Sequence, residues 1–131
     1  MPSTKILIAD DEPDVIETLR FRLEQEGYEV VACANGLEAL GAARSARPDL
    51  IVLDVMMPGE NGYRVAKTIR EDEAAGVYDR RTPIILLTAR NLKFDPEREK
   101  MFMDFSQADL VLYKPFDLED LVTRIASLLE R

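Results

Sequence analysis

Three carboxylates, a hydroxyl and an ammonium hold equivalent places in this 131-residue chain, each closing a short apolar run. Asp10 and Asp11 follow Ile6 to Ala9, Asp54 follows Leu50 to Leu53, Thr88 follows Ile84 to Leu87, and Lys114 follows Leu110 to Tyr113. The chain has no His and one Cys, Cys33. That removes the commonest acid–base group, most zinc sites, and the Ser-His-Asp and Cys-His arrangements. Chemistry here must run on carboxylates, hydroxyls and amines. Asp10, Asp11 and Asp54 brought close together would repel and take up protons unless a cation intervened. An all-oxygen donor set selects Mg²⁺ or Mn²⁺. Mg²⁺ usually keeps several waters and uses one or two carboxylates plus a phosphate oxygen, so the acids read as a half-built site that a phosphate completes. Lys114 offers a point charge to a phosphoryl oxygen. Thr88 offers a hydroxyl donor, and Ala89 beside it leaves room for a ligand. A carboxylate flanked by a metal and an ammonium is a competent nucleophile toward phosphorus, giving an aspartyl phosphate.

Elements must place these groups together. The pattern predicts strands over Lys5 to Asp10, Tyr28 to Ala32, Asp49 to Val55, Pro83 to Thr88 and Asp109 to Tyr113. Between them it predicts helices over Pro13 to Glu26, Gly36 to Ser45, Gly62 to Glu71 and Pro96 to about Ser106. The last helix, capped by Asp117, carries a stripe of Leu118, Leu121, Val122, Ile125 and Leu128. Leu37, Leu40 and Ala43–Arg44 are expected on successive turns along one side of the second helix, and Ala74 to Arg81 is expected to be a loop. Strands apolar on both faces, alternating with helices, imply an α/β fold: one doubly wound parallel sheet with helices on both sides. In such sheets ligands bind beyond the carboxyl ends of the strands, where the acids, Thr88 and Lys114 fall.

The composition fits one domain spanning residues 1–131. Lys plus Arg number 17 and Asp plus Glu 25, a formal charge of −8. No basic stripe is present for direct nucleic-acid binding. No apolar run is long enough for a signal peptide or a membrane span, and the expectation is a cytoplasmic protein with no membrane partner.

Asp10-Asp11 after an apolar strand, Asp54 followed by Met57-Pro58 and Gly62, Thr88-Ala89, and Lys114-Pro115-Phe116 resemble the receiver domain of two-component response regulators, most closely the stand-alone chemotaxis type. The resemblance covers essentially the whole chain. It implies a flavodoxin-like (βα)5 fold with a five-stranded sheet ordered 2-1-3-4-5. It implies Asp54 as phosphoacceptor, with Asp11 binding Mg²⁺ directly, Asp10 binding it through water, and the backbone carbonyl of Met56 as a further ligand. Lys114 would bridge Asp54 and the phosphoryl group, Thr88 would report phosphorylation, and the Lys114–Pro115 bond would be cis. Met56 and Arg90 match positions that tune reaction rates. The implied partners are a sensor histidine kinase or histidine phosphotransfer protein and a downstream protein docking on the face of helix 4, strand 5 and helix 5. A homodimer is a further possibility. With no His, the chain cannot itself be the phosphohistidine donor, and the receiver is expected to take up all 131 residues, with output either by docking alone or through a longer chain continuing after Arg131. On this reading the chain is a signalling switch that catalyses its own phosphotransfer and slow autodephosphorylation, and is not otherwise an enzyme.

Two departures stand out. The aromatic residue usual three places before the lysine is Val111 here, so Tyr113, on the same strand face, is the candidate substitute. The second departure is spacing: the stretches Gly62 to Pro83 and Arg90 to Ala108 are a few residues longer than usual in the family, and the latter is rich in large apolar residues, Phe94, Met101, Phe102, Met103 and Phe105. These read mainly as core, with a partner or dimer surface as the alternative. Bland readings stand beside the others: Asp10 or Asp11 as a helix cap, Cys33 as a small buried residue, and Glu12 as a solvated acid. The competing functions are a Mg²⁺-dependent aspartate-nucleophile phosphatase of the haloacid dehalogenase type and a degenerate receiver that only binds partners.

Overall fold

Each central strand carries apolar side chains on both faces because helices cover both faces. The computed structural model describes residues 3–89 and 95–130. Five strands, β1 (Lys5–Ala9), β2 (Glu29–Cys33), β3 (Leu50–Asp54), β4 (Ile84–Ala89) and β5 (Leu110–Lys114), alternate with five helices. These are α1 (Pro13–Gln25), α2 (Gly36–Ala46), α3 (Gly62–Ala74), α4 (Pro96–Ser106) and α5 (Leu118–Leu129). The sheet is parallel throughout and ordered β2-β1-β3-β4-β5, the expected order. Side-chain alternation sorts the apolar runs into two cores. Leu7, Ile51, Leu53, Ile84 and Leu86 face Ala39, Ala43, Val65 and Ile69 on one side. Ile6, Ile8, Leu50, Val52, Ile85 and Leu87 face Leu19, Leu23, Leu121 and Ile125 on the other.

Several boundaries move from the sequence expectation. Strand β2 starts at Glu29 and ends at Cys33 because its register pairs Lys5 with Glu29 and Ala9 with Cys33. Helix α3 runs on to Ala74, through residues the pattern ends at Glu71; an Arg70–Glu73 ion pair supports the added turn, and Gly76, at φ 85°, follows its end. Leu37 is 68% exposed, and Ala39 and Ala43 form the packed face of α2. A side chain added at Gly36 would collide with the backbone carbonyl of Glu60, so small residues let α2 lie close to the segment before α3. The reading of the fourth helix as mainly core holds for Met103, which packs half-buried against the core, and fails for Met101 and Phe105. Met101 is 70% and Phe105 42% exposed, while the buried residue of α4 is Ser106, whose hydroxyl donates to the Met103 carbonyl. Phe94 lies outside the described residues. Caps follow the sequence: Asn35, Asn61, Asp95 and Asp117 each accept a first-turn N–H.

Candidate functional site

The carboxyl ends of β1, β3, β4 and β5 meet at one end of the sheet, each strand placing the residue that ends its apolar run there. Asp10 and Asp54 are nearly inaccessible, at 1% and 3% exposure, which is unusual for acids without a compensating cation. Lys114 supplies one. Its Nζ lies 3.0 Å from Asp10 Oδ2, 3.2 Å from Glu12 Oε1 and 3.5 Å from Asp54 Oδ1. Asp54 Oδ1 also accepts the Met56 N–H at 3.3 Å. Lys114–Pro115 is cis, as the resemblance implied.

Electrostatics at the site pull in two directions. Burial, and then the neighbouring Asp10, push the Asp54 carboxyl up to about 6, against the opposing pull of Lys114 and the Met56 N–H. Burial alone would lower the Lys114 ammonium, but its hydrogen bond to Asp10 and the charges of Asp54, Asp10 and Glu12 outweigh this and leave it raised. Negative charge at this end of the sheet is therefore held under strain, and further positive charge is favoured there.

Carboxylate oxygens of Asp10, Asp11 and Glu12 lie within 4.8 Å of one another. The all-oxygen donor set beside a buried Asp54 fits a hard divalent cation. Glu12 was expected to be a solvated acid. It is exposed, yet it belongs to this acidic group and accepts from Lys114, so it joins the site. Its signal in the sequence was proximity alone, two residues after Asp10. The helix-cap reading of Asp10 and Asp11 is corrected too: Glu12 is the N-cap of α1, and Asp10 Oδ1 instead accepts the Glu12 N–H at 2.9 Å. Cys33 is buried, and burial pushes its thiol up, in keeping with a small core residue.

Thr88 and Ala89 end β4 opposite Tyr113 and Lys114 on β5. Thr88, Tyr113, Tyr63 and Glu99 line a small pocket of about 130 Å³, and the Tyr113 hydroxyl donates to the Glu99 carboxylate. Val111 packs partly buried against the core in register with Leu86. Three aromatic residues, Tyr63, Phe102 and Tyr113, line the pocket beside Thr88, and Tyr113 is the one in register with it on β5. Met56 stands with its side chain 70% exposed beside Asp54. Arg90, the other expected rate-tuning residue, lies outside the described residues. Gly62 packs against the loop that follows Asp54: its N–H donates to the Val55 carbonyl, and an added Cβ would sit 2.6 Å from the Asp54 carbonyl oxygen.

The sequence profile of the response regulator receiver domain matches residues 6–126. The chain belongs to the response regulator receiver domain family. Among relatives, it is 37% identical over 97% of its length to 49% of the alkaline phosphatase synthesis transcriptional regulatory protein PhoP of Bacillus subtilis. It is 40% identical over 98% of its length to 49% of the transcriptional regulatory protein ResD of the same organism. This receiver therefore spans about half the length of those regulators. Among solved structures, it superposes on a putative response regulator from Chloroflexus aurantiacus with TM-score 0.83 at 34% identity, covering 99% of this chain and 100% of that one. The chemotaxis protein CheY4 of Vibrio cholerae gives TM-score 0.81 at 33% identity, covering 96% and 98%. Receiver domains of this family generally bind Mg²⁺ at an acidic pocket, and Asp10, Asp11 and Glu12 form an acidic cluster in this receiver.

Proposed function

We propose that this receiver takes a phosphoryl group from a partner's phosphohistidine onto Asp54. The observation that carries the reading is the Lys114 ammonium set within 3.5 Å of the buried Asp54 and Asp10 carboxylates. A carboxylate pushed up to about 6 is ionised at neutral pH and retains nucleophilic character. An Asp54 oxygen attacks phosphorus, the P–N bond breaks, and the imidazole leaves carrying a proton from solvent; the product is an acyl phosphate. Lys114 neutralises a phosphoryl oxygen and holds Asp54 in place, and Thr88 donates its hydroxyl to another. Mg²⁺ held by Asp10, Asp11, Asp54 and the Met56 carbonyl, with Glu12 nearby, would supply the remaining positive charge for the transfer. Thr88 and Tyr113, facing each other across β4 and β5, then carry the change toward the α4–β5–α5 face, where a downstream protein docks.

The donor is a sensor histidine kinase or a histidine phosphotransfer protein, as expected of the family, because this chain has no His of its own. A net charge of −8 on this domain favours protein contact over direct DNA contact by the receiver itself. Among the described residues no helix is long and apolar enough to cross a membrane, and we place the switch in the cytoplasm. Incubation with Mg²⁺ and acetyl phosphate, followed by intact-mass measurement, tests the reading. One added phosphoryl group, absent in Asp54→Asn, supports it. Multiple turnover of simple phosphoesters would replace it with the phosphatase. No uptake and no Mg²⁺ binding would leave a receiver that only binds partners.

A further inference from the structure

Met56 and Met101 are the most exposed large apolar side chains among the described residues, Phe105 is exposed too, and all three line one groove. The groove, about 570 Å³, runs between α4 and the segment joining β3 to α3. Its floor includes Val55 and the stacked pair Tyr63 and Phe102, whose ring centres are 4.8 Å apart. An apolar recess beside a signalling site, left open to solvent, marks an interaction surface. Its methionines and phenylalanine suit an apolar partner of adaptable shape.

Charge says what kind of partner. The chain carries −8 overall, yet the groove is rimmed by cations. Arg64 and Arg98 line it directly, Arg98 sits 5.5 Å from the Phe102 ring centre, and Lys67 Nζ sits 4.6 Å from that of Phe105. The acid paired with this rim is Glu60, 3.4 Å from Arg64, and both of those side chains are largely exposed. Glu99 shares a small pocket with Tyr63, Arg98 and Phe102, and its carboxylate accepts from the Tyr113 hydroxyl. A cationic rim around an apolar floor complements a segment with a row of large apolar side chains flanked by carboxylates.

We propose that the α3–α4 groove docks an acidic amphipathic helix of a partner protein, on a face distinct from α4–β5–α5. One wall is the backbone after Asp54, whose Met56 N–H donates to the Asp54 carboxylate, so the groove adjoins the acceptor loop directly. Docking itself does not depend on phosphorylation, and it is tested on unphosphorylated protein so that failure of phosphoryl uptake leaves the result standing.

Three labelled synthetic helical peptides serve as probes. Two share Leu and Phe at positions i, i+3, i+4 and i+7, flanked by Glu in one and by Lys in the other; the third has Ser in place of the apolar stripe. Fluorescence anisotropy is expected to show the Glu peptide binding at least about tenfold more tightly than the Lys peptide, and the Ser peptide not binding. Amide resonances of Val55, Met56, Arg64, Met101 and Phe105 should shift on addition of the Glu peptide. Met101→Ser, at a site already 70% exposed and so harmless to the fold, should weaken it severalfold, and Arg64→Glu with Arg98→Glu should reverse the charge preference. Equal binding of both charge forms, binding of none, shifts confined to another face, or self-association that covers the groove would each overturn the proposal.

Discussion

Replacing Asp54 with Asn should stabilise the metal-free protein, and the gain should depend on pH in a defined way. The Asp54 carboxyl moves from an ordinary 3.8 to about 6 in the folded state, chiefly through burial and then through Asp10. Between those values the folded state binds more protons than the unfolded one, so stability falls as pH rises through that window. The penalty is complete above about 6 and absent below about 3.8. At 1.36 kcal/mol per pH unit it amounts to about 3 kcal/mol at pH 7.5 and about 1 kcal/mol at pH 4.5. Asn carries no charge at either pH and has an oxygen to accept the Met56 N–H, while Lys114 retains Asp10 and Glu12. Urea melts in EDTA should therefore show Asp54→Asn more stable by about 3 kcal/mol at pH 7.5, roughly 10 °C in Tm for a chain of this size, with the gap closing toward pH 4.5. A gap that does not change with pH, or an Asn variant less stable than the parent at pH 7.5, would refute the claim that ionising Asp54 is costly in this fold. Added Mg²⁺ should narrow the gap from the other side, since a ligand of the native state stabilises in proportion to the logarithm of its saturation.

Other perturbations separate the site from its scaffold. Gly62→Ala forces a Cβ against the Asp54 carbonyl and should cost about 1–3 kcal/mol and slow phosphoryl uptake, whereas Gly41→Ala, with nothing within 4 Å, should gain about 0.5–1 kcal/mol; urea midpoints and acetyl phosphate kinetics read both. Arg70→Ala removes a buried guanidinium bonded to Glu73, Asp109 and the carbonyls of Thr82 and Gln107, and should cost roughly 3–5 kcal/mol in chemical denaturation without altering Mg²⁺ affinity. Lys114→Met leaves Asp10 and Asp54 facing each other without their ammonium and should abolish phosphoryl uptake by intact mass. Tyr113→Ala should leave uptake intact while reducing the difference in partner affinity between phosphorylated and unphosphorylated protein; an unchanged difference would remove Tyr113 from the switch.

The parallel sheet was legible because a buried parallel strand needs apolar side chains on both faces, and runs such as Ile6 to Ala9, Leu50 to Leu53 and Ile84 to Leu87 meet that need over too few residues for a helix, whereas the strand order came from the resemblance to receiver domains and not from the pattern. The meeting of Asp10, Asp54 and Lys114 was legible for the same reason: once five parallel strands are placed, the residues ending their apolar runs share one end of the sheet. What sequence left open depends on rotation about helix axes and on side-chain reach. Helix α2 turns on Gly36, Ala39 and Ala43 because they admit close packing, which puts Leu37 in solvent even though its hydrophobicity argues for burial.

Helix α4 shows the same limit with functional weight. Five large apolar residues between Phe94 and Phe105 suggest core, but a helix at the edge of a five-stranded sheet has one inward side, and small Ser106 occupies the fully buried place on α4. Phe102 finds Tyr63, while Met101 and Phe105 remain outside, Phe105 beneath the Lys67 ammonium. Glu12 is the opposite case: an acid that composition assigns to solvent becomes part of the site because Lys114 reaches it across the strand ends. Hydrophobic pattern thus predicts which elements form and where their ends meet. Which side chains outside the core carry function is decided by the partners that three-dimensional packing brings within a few ångströms.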